Sequence, residues 1–171
     1  DVPRETPWGL MSYLAYKEKM EWNEEQCVEL CDYAASLDLP TFFSVWDIPS
    51  AQLVMQFEPL YIKVPSAHAT NRALLAWLKA NHGAVRIIVS TGMCDQRRVD
   101  EVVEYLRSEN PVIMHCTSTY PCPKEELNLA CIPSYIYRYT PLDIGYSGHE
   151  TGLATTVAAV ALGAKYVERH L

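Results

Sequence analysis

The chain is short of positive charge. Fourteen lysines and arginines stand against 21 aspartates and glutamates, for a net charge of −7 over 171 residues. A surface of that sign excludes nonspecific binding to nucleic acid or to anionic membranes, which needs a basic face. A local positive pocket for a small anion stays allowed. No two cysteines are spaced C-x-x-C, which excludes a zinc ribbon or a thioredoxin-like redox motif. The six cysteines are too sparse for a disulfide scaffold, so reduced thiols and a cytoplasmic protein are expected. No apolar run reaches the ~18 residues of a membrane span. No charged-then-apolar leader opens the chain. Linkers, low-complexity stretches and internal sequence repeats are also lacking, so one domain spanning 1–171 is expected.

What the chain does have is alternation. Short apolar or β-branched runs at 41–46, 60–64, 86–90, 112–116, 143–146 and 166–169 read as strands. Helical patterns lie between them at about 50–57, 70–81, 94–108, 124–138 and 151–163, and another precedes them at 23–37. In that first helix Asn23 and Gln26 form a capping box, and Cys27 with Cys31 marks a buried face. The spacing of strand starts is the length of a βα unit, and repeated βα units build a parallel sheet. Runs such as RIIVS and PVIMHC are apolar throughout, as strands covered on both faces are.

Each strand delivers a polar group at its C-terminal end. The groups are Ser44 and Asp47, then Lys63 and Ser66, Ser90-Thr91-Gly92, His115-Cys116-Thr117-Ser118, Ser147-Gly148-His149 and Glu168-Arg169-His170. An open sheet would spread them along a crevice. Closure into a β/α barrel gathers them on one face, so the expected fold class is α/β of the (β/α)8 TIM-barrel type. Ser44, Ser66, Ser90, Thr91, Ser118 and Ser147 offer hydroxyl donors, each of which could instead cap a following helix. Lys63, inside a barrel, is costly to bury without a partner. Together they suit an anion with several oxygens.

His149 and His170 end successive strands, so two imidazoles can meet one ion such as Mn²⁺, Fe²⁺, Co²⁺ or Zn²⁺. Glu168 shares a strand face with His170. His115 is on a strand too and is open to a core or a ligand reading. His82, in an Asn-His-Gly turn, reads as a solvent residue. The small-residue stretch between the two candidate ligands is the crossover joining their strands.

Taken in order, TFFSVWD, YIKVPSAHATN, IIVSTGM, MHCTSTYPCPKEELNL, GYSGHETG and GAKYVERH resemble the sialic acid synthase family over about 10–171. That resemblance implies a β/α barrel, often followed by an antifreeze-like domain. It implies condensation of phosphoenolpyruvate with N-acetylmannosamine or its 6-phosphate to give N-acetylneuraminate or its 9-phosphate. C3 of phosphoenolpyruvate attacks the open-chain aldehyde, water adds at C2, and phosphate leaves by C–O cleavage. It implies that His149 and His170 bind a divalent metal, typically Mn²⁺, with Glu168 beside them. Lys63, Ser44, Ser66, Ser90, Ser118 and Ser147 would hold phosphoenolpyruvate, and Tyr120 would stand near the sugar. The family usually has Ser-Gly-Glu or Ser-Gly-Asp where this chain reads Ser66-Ala67-His68, which sets His68 where the acid stands. Glu168, Lys63, His68 and Tyr120 are therefore the catalytic candidates.

Against that pattern about six of eight βα units are present, strands 3 to 8, and the antifreeze-like domain is absent, so truncation at both ends is expected. Open sheet edges then predict a homo-oligomer. The competing readings are a catalytically inactive remnant or binding module of the same barrel, and a different barrel enzyme such as a related 3-deoxy-sugar-acid synthase.

Overall fold

The computed structural model describes residues 2–170, and the chain falls into two compact units, Asp1–Thr41 and Phe42–Leu171. In the first, strands β1 (Arg4–Thr6) and β2 (Gly9–Met11) form an antiparallel hairpin. Its turn uses Gly9 at φ +93, a conformation that costs a residue without a Cβ least. Helix α1 (Tyr13–Met20) starts at Ser12, whose side chain accepts from the Ala15 N–H. Helix α2 (Glu24–Ser36) starts at the Asn23–Gln26 capping box expected of it and buries Cys27. The hairpin and α1 carry no strong sequence signal: they are only 3, 3 and 8 residues long and bury almost nothing.

The second unit is a parallel sheet in the order β3 (Tyr61–Val64), β4 (Arg86–Ser90), β5 (Val112–Cys116), β6 (Asp143–Gly148) and β7 (Tyr166–Arg169). Helices α3 (Ile48–Met55), α4 (Arg72–Asn81), α5 (Gln96–Leu106), α6 (Cys131–Tyr139) and α7 (Ala154–Ala161) punctuate it. The expected strand at 41–46 contracts to one parallel bridge, Ser44 to Lys63. Asp47 ends it: that residue caps α3, and the Ser50 hydroxyl takes the N–H of both Trp46 and Asp47. The expected helix at 124–138 is a 3-10 turn at Lys124–Glu126 and then α6, parted by Asn128 in a left-handed conformation at φ 48.

Residues of alternate parity face opposite sides of a strand. On one side Ile62, Val64, Ile87 and Val89 pack with Leu74, Leu75, Leu78 and Leu106, and Ile113, Ile144 and Tyr146 pack with Ile132, Tyr135 and Ala159. The other side is concave. β3 and β7 are the sheet's two edges, four strand spacings of about 4.8 Å apart if the sheet were flat. Yet Lys63 Nζ on β3 lies 2.6 Å from Glu168 Oε1 on β7, and the Tyr61 and Tyr166 hydroxyls are 3.5 Å apart. The strands therefore curl as part of a β/α barrel, with helices outside.

The floor of the concave face is a layer of Ile88, Val112 and Met114 over Tyr61 and Tyr166. Gly145 leaves the space that Met114 fills, since a Cβ there would lie 2.2 Å from the Met114 sulfur. Beneath, Arg86 bridges Asp143 Oδ2 and the Tyr166 hydroxyl at 2.8 Å each, which ties β4, β6 and β7 together.

Candidate active site

The C-terminal ends of the strands enclose a cavity of about 410 Å³. Ser44, Lys63, Ser66, Ser90, Ser118, Tyr120, Ser147, His149, Glu168 and His170 all line it. Their convergence follows from register: Lys63, Ser90, Cys116, Ser147 and Glu168 stand at inward-facing positions, with Cys116 opposite Ser147 and Ser147 opposite Glu168. Ser90 is 2 % exposed and its hydroxyl has no hydrogen-bond partner among the described residues. An unpaired buried hydroxyl costs about 1–3 kcal/mol, which a ligand oxygen in the cavity would recover.

A second group surrounds the lysine. Lys63 Nζ donates to both carboxylate oxygens of Glu168, at 2.6 and 2.9 Å, and the Ser147 hydroxyl donates to Oε2 at 2.5 Å. Burial would push the Glu168 carboxyl up, but Lys63 and the Ser147 hydroxyl hold it below its ordinary value. The cavity floor thus has a cation and a carboxylate already compensating each other.

The imidazoles stand above. His149 Nδ1 is 2.7 Å from the Thr117 carbonyl oxygen, which can only accept, so Nδ1 carries the proton. Nε2 is then the bare nitrogen, 3.5 Å from the Ser147 hydroxyl. Burial, with His170 and Lys63 nearby, lowers the His149 pKa despite that carbonyl, which favours the neutral, ligating form. The rings of His149 and His170 have centroids 5.1 Å apart, and the Tyr120 ring lies 3.9 Å from His149 and 5.5 Å from His170. Among the described residues no group of three or more His, Cys, Asp or Glu forms a metal nest. Two imidazoles are the set that could hold an ion here, leaving its other positions to ligand or water.

Glu150 fixes the turn that presents His149. It is 3 % exposed and accepts from Tyr146, Thr155 and Arg169 behind the sheet. Burial would raise this carboxyl, and those donors hold it below its ordinary value instead. Arg169, the middle residue of the Glu168-Arg169-His170 strand end, therefore works outside the cavity.

Other strand-end groups are absorbed structurally. Thr91 Oγ1 donates to the Met114 carbonyl, and Thr117 Oγ1 donates to the Glu126 carbonyl. His115 points behind the sheet, 2.7 Å from the Leu127 carbonyl and packed against Tyr135 and Tyr146. His82, half-buried, bonds the Val85 carbonyl and pairs with Glu109 at 3.0 Å, so it is a structural residue and not a solvent one. His68 does not line the cavity: its ring packs edge-on against Trp46, which does, and its Nδ1 is 3.2 Å from the Asn71 amide.

From sequence alone Trp46, Pro65, Ala67, Met93 and Cys116 have no site role, yet they also line the cavity. Gly92 approaches so closely that a Cβ on it would be 2.2 Å from Ser118 Oγ and 2.8 Å from Ser66 Oγ, and its N–H donates to Ser66 Oγ at 3.1 Å. The motif Ser90-Thr91-Gly92 held a signal for Gly92. Cys116 had one in its parity with Met114, which places both inward.

Residues 2–171 match the NeuB family. The chain is 34 % identical over 166 residues to an N-acetylneuraminate-9-phosphate synthase of Drosophila melanogaster, covering 95 % of this chain and 44 % of that protein. It is 32 % identical over 165 residues to an N,N'-diacetyllegionaminic acid synthase of Campylobacter jejuni, covering 93 % of this chain and 48 % of that one. Among solved structures, a putative spore coat polysaccharide biosynthesis protein E of Chromobacterium violaceum superposes with TM-score 0.86 at 27 % identity, over 94 % of this chain and 48 % of that chain. The chain spans about half the length of the curated relatives it matches.

Proposed function

Because the chain belongs to the NeuB family, we propose that its cavity serves sialic acid synthase-type condensation of phosphoenolpyruvate with an N-acetylated amino sugar, N-acetylmannosamine or its 6-phosphate. The observation that carries this is the meeting, in one cavity, of Lys63, two imidazoles and the Ser90 hydroxyl, which has no partner among the described residues. Relatives named as N-acetylneuraminate-9-phosphate and N,N'-diacetyllegionaminic acid synthases support it.

Lys63 and the hydroxyls of Ser44, Ser66, Ser90, Ser118 and Ser147 bind the phosphate and carboxylate. Charge-assisted bonds from Lys63 are the strongest of these. Glu168, kept ionised, is the base available to a water beside the imidazoles, and it returns Lys63 to a compensated state when the anion departs. Tyr120 offers its exposed ring and hydroxyl to the sugar. A divalent ion, with Mn²⁺ proposed, fits the bare Nε2 of His149 and the adjacent His170, and when bound it would polarise the aldehyde as a Lewis acid. His68 acts on this reaction only through Trp46.

Incubation of the chain with phosphoenolpyruvate, N-acetylmannosamine and Mn²⁺ tests the reading, with phosphate release and product mass as readouts. Release of phosphate with formation of a nine-carbon acid is expected. Binding of phosphoenolpyruvate without product would instead identify a binding module, the competing function.

A further inference from the structure

Cys116 ends β5 inside the cavity, and the function proposed above gives it no task. Its sulfur accepts from the Ser66 hydroxyl at 3.4 Å and lies 3.9 Å from both Ser118 Oγ and His149 Nδ1. A Cβ on Gly92 would approach it to 3.0 Å. The residue is 6 % exposed and lines the cavity.

The other cysteines are placed differently. Cys27 and Cys31 lie on α2, Cys94 and Cys131 pack against the apolar clusters behind the sheet, and the Cys122 thiol contacts the Pro123 carbonyl. Cys116 alone among the described cysteines lines the cavity. A thiol by itself marks nothing, but Ser90 stands in the same cavity, 2 % exposed, its hydroxyl without a partner among the described residues. That donor points to a ligand in the cavity that Cys116 also lines.

We propose that Cys116 is a covalent modification site for small electrophiles that enter this cavity, and that the anion seated on the serines excludes them. The inference rests on the anion reading of the cavity. With iodoacetamide the sulfur forms a bond to the methylene carbon, the C–I bond breaks, iodide leaves with its electron pair and the thiol proton passes to water. The added group fills the space where Ser66, Ser118 and Gly92 converge, so adduct and anion are mutually exclusive. An α,β-unsaturated carbonyl compound would add in the same place, its β carbon to sulfur and the proton to its α carbon.

The experiment follows each cysteine separately, by peptide mass spectrometry of the native chain during iodoacetamide labelling, with and without phosphoenolpyruvate. Direct calorimetric titration of phosphoenolpyruvate into unmodified and labelled chain accompanies it. Cys116 is expected to label in the folded chain. At anion concentrations about ten times Kd its labelling should slow about tenfold, by the mass-action factor 1 + [L]/Kd, while Cys94 and Cys131 keep their rates. The labelled chain should lose anion binding, and Cys116→Ser should carry no anion-protected adduct.

Labelling of Cys116 only after denaturation overturns the proposal. So does an unchanged Cys116 rate at concentrations where calorimetry shows the anion bound. If the unmodified chain binds no phosphoenolpyruvate, the anion reading itself fails and takes the exclusion with it. That outcome is distinguishable because it is read before any label is added.

Discussion

At the residue scale the site depends on an atom that is missing. Gly92 lets its backbone sit against Ser66, Ser118 and Cys116, and its N–H pins the Ser66 hydroxyl. Gly92→Ala puts a methyl where Ser118 Oγ now lies. Anion affinity should fall at least about tenfold, or ~1.4 kcal/mol, in calorimetry, with the fold retained by circular dichroism. An unchanged affinity would mean that the two serines do not form the cradle. Lys63 makes a different demand. Its side chain is 7 % exposed and its partner Glu168 38 %. Breaking a fully buried pair costs about 3–5 kcal/mol; with one partner this open, Glu168→Gln should cost about 1–2 kcal/mol in urea unfolding. Residue types and spacing made Lys63, Glu168 and the two histidines legible in the chain, because few structural duties require them at inward positions. Gly92 and Cys116 were harder, since a glycine reads as a turn and a cysteine as core until the neighbours are known.

At the scale of elements, the strand positions show how much of the fold patterning reveals. Five of six expected strands pair as parallel neighbours in chain order. The sixth kept one bridge because the Asp47–Ser50 cap of α3 consumes the backbone donors that a longer strand would need. Parity decided His115, which a reading of the sequence left open. Met114 and Cys116 face inward, so His115 faces the helices and bonds the Leu127 carbonyl. Burial holds its pKa below the ordinary 6.5. The unfolded chain gains this proton near pH 6.5 and the folded chain only at lower pH. The folded state therefore binds fewer protons in that window, and stability falls as pH drops below about 6.5. His115→Gln keeps a donor for the carbonyl and should flatten this part of the profile. Equal slopes in urea unfolding of the two proteins between about pH 7 and 5 would contradict it. Gly145 offers a packing test. A Cβ there would meet the Met114 sulfur at 2.2 Å and Tyr166 Cβ at 2.8 Å. Gly145→Ala should destabilise by about 1–3 kcal/mol through overpacking, and Met114→Ala in the same chain should recover part of the loss.

At the scale of the whole molecule, the chain has the curvature of a barrel over five strands, and β7 ends the sheet with no further strand beside it among the described residues. Val157, Val160 and Val167 are exposed along α7 and β7. An open edge beside apolar surface favours association. Sedimentation velocity should show species larger than a monomer, and a cooperative, stable monomer at high concentration would contradict this. No helix among the described residues is long and apolar enough to cross a membrane. One cavity gathers Lys63, the serine hydroxyls and two imidazoles, and the proposed function rests on it. Thermal unfolding with Mn²⁺ and phosphoenolpyruvate, alone and together, tests it most directly. Ligands that bind only the folded state stabilise it, by about 2.7 kcal/mol at a hundred times Kd. A midpoint that rises with each ligand and most with both, with the Mn²⁺ effect lost in His149→Ala, is the predicted result. No rise with either ligand, or the same Mn²⁺ effect in His149→Ala, would contradict the site.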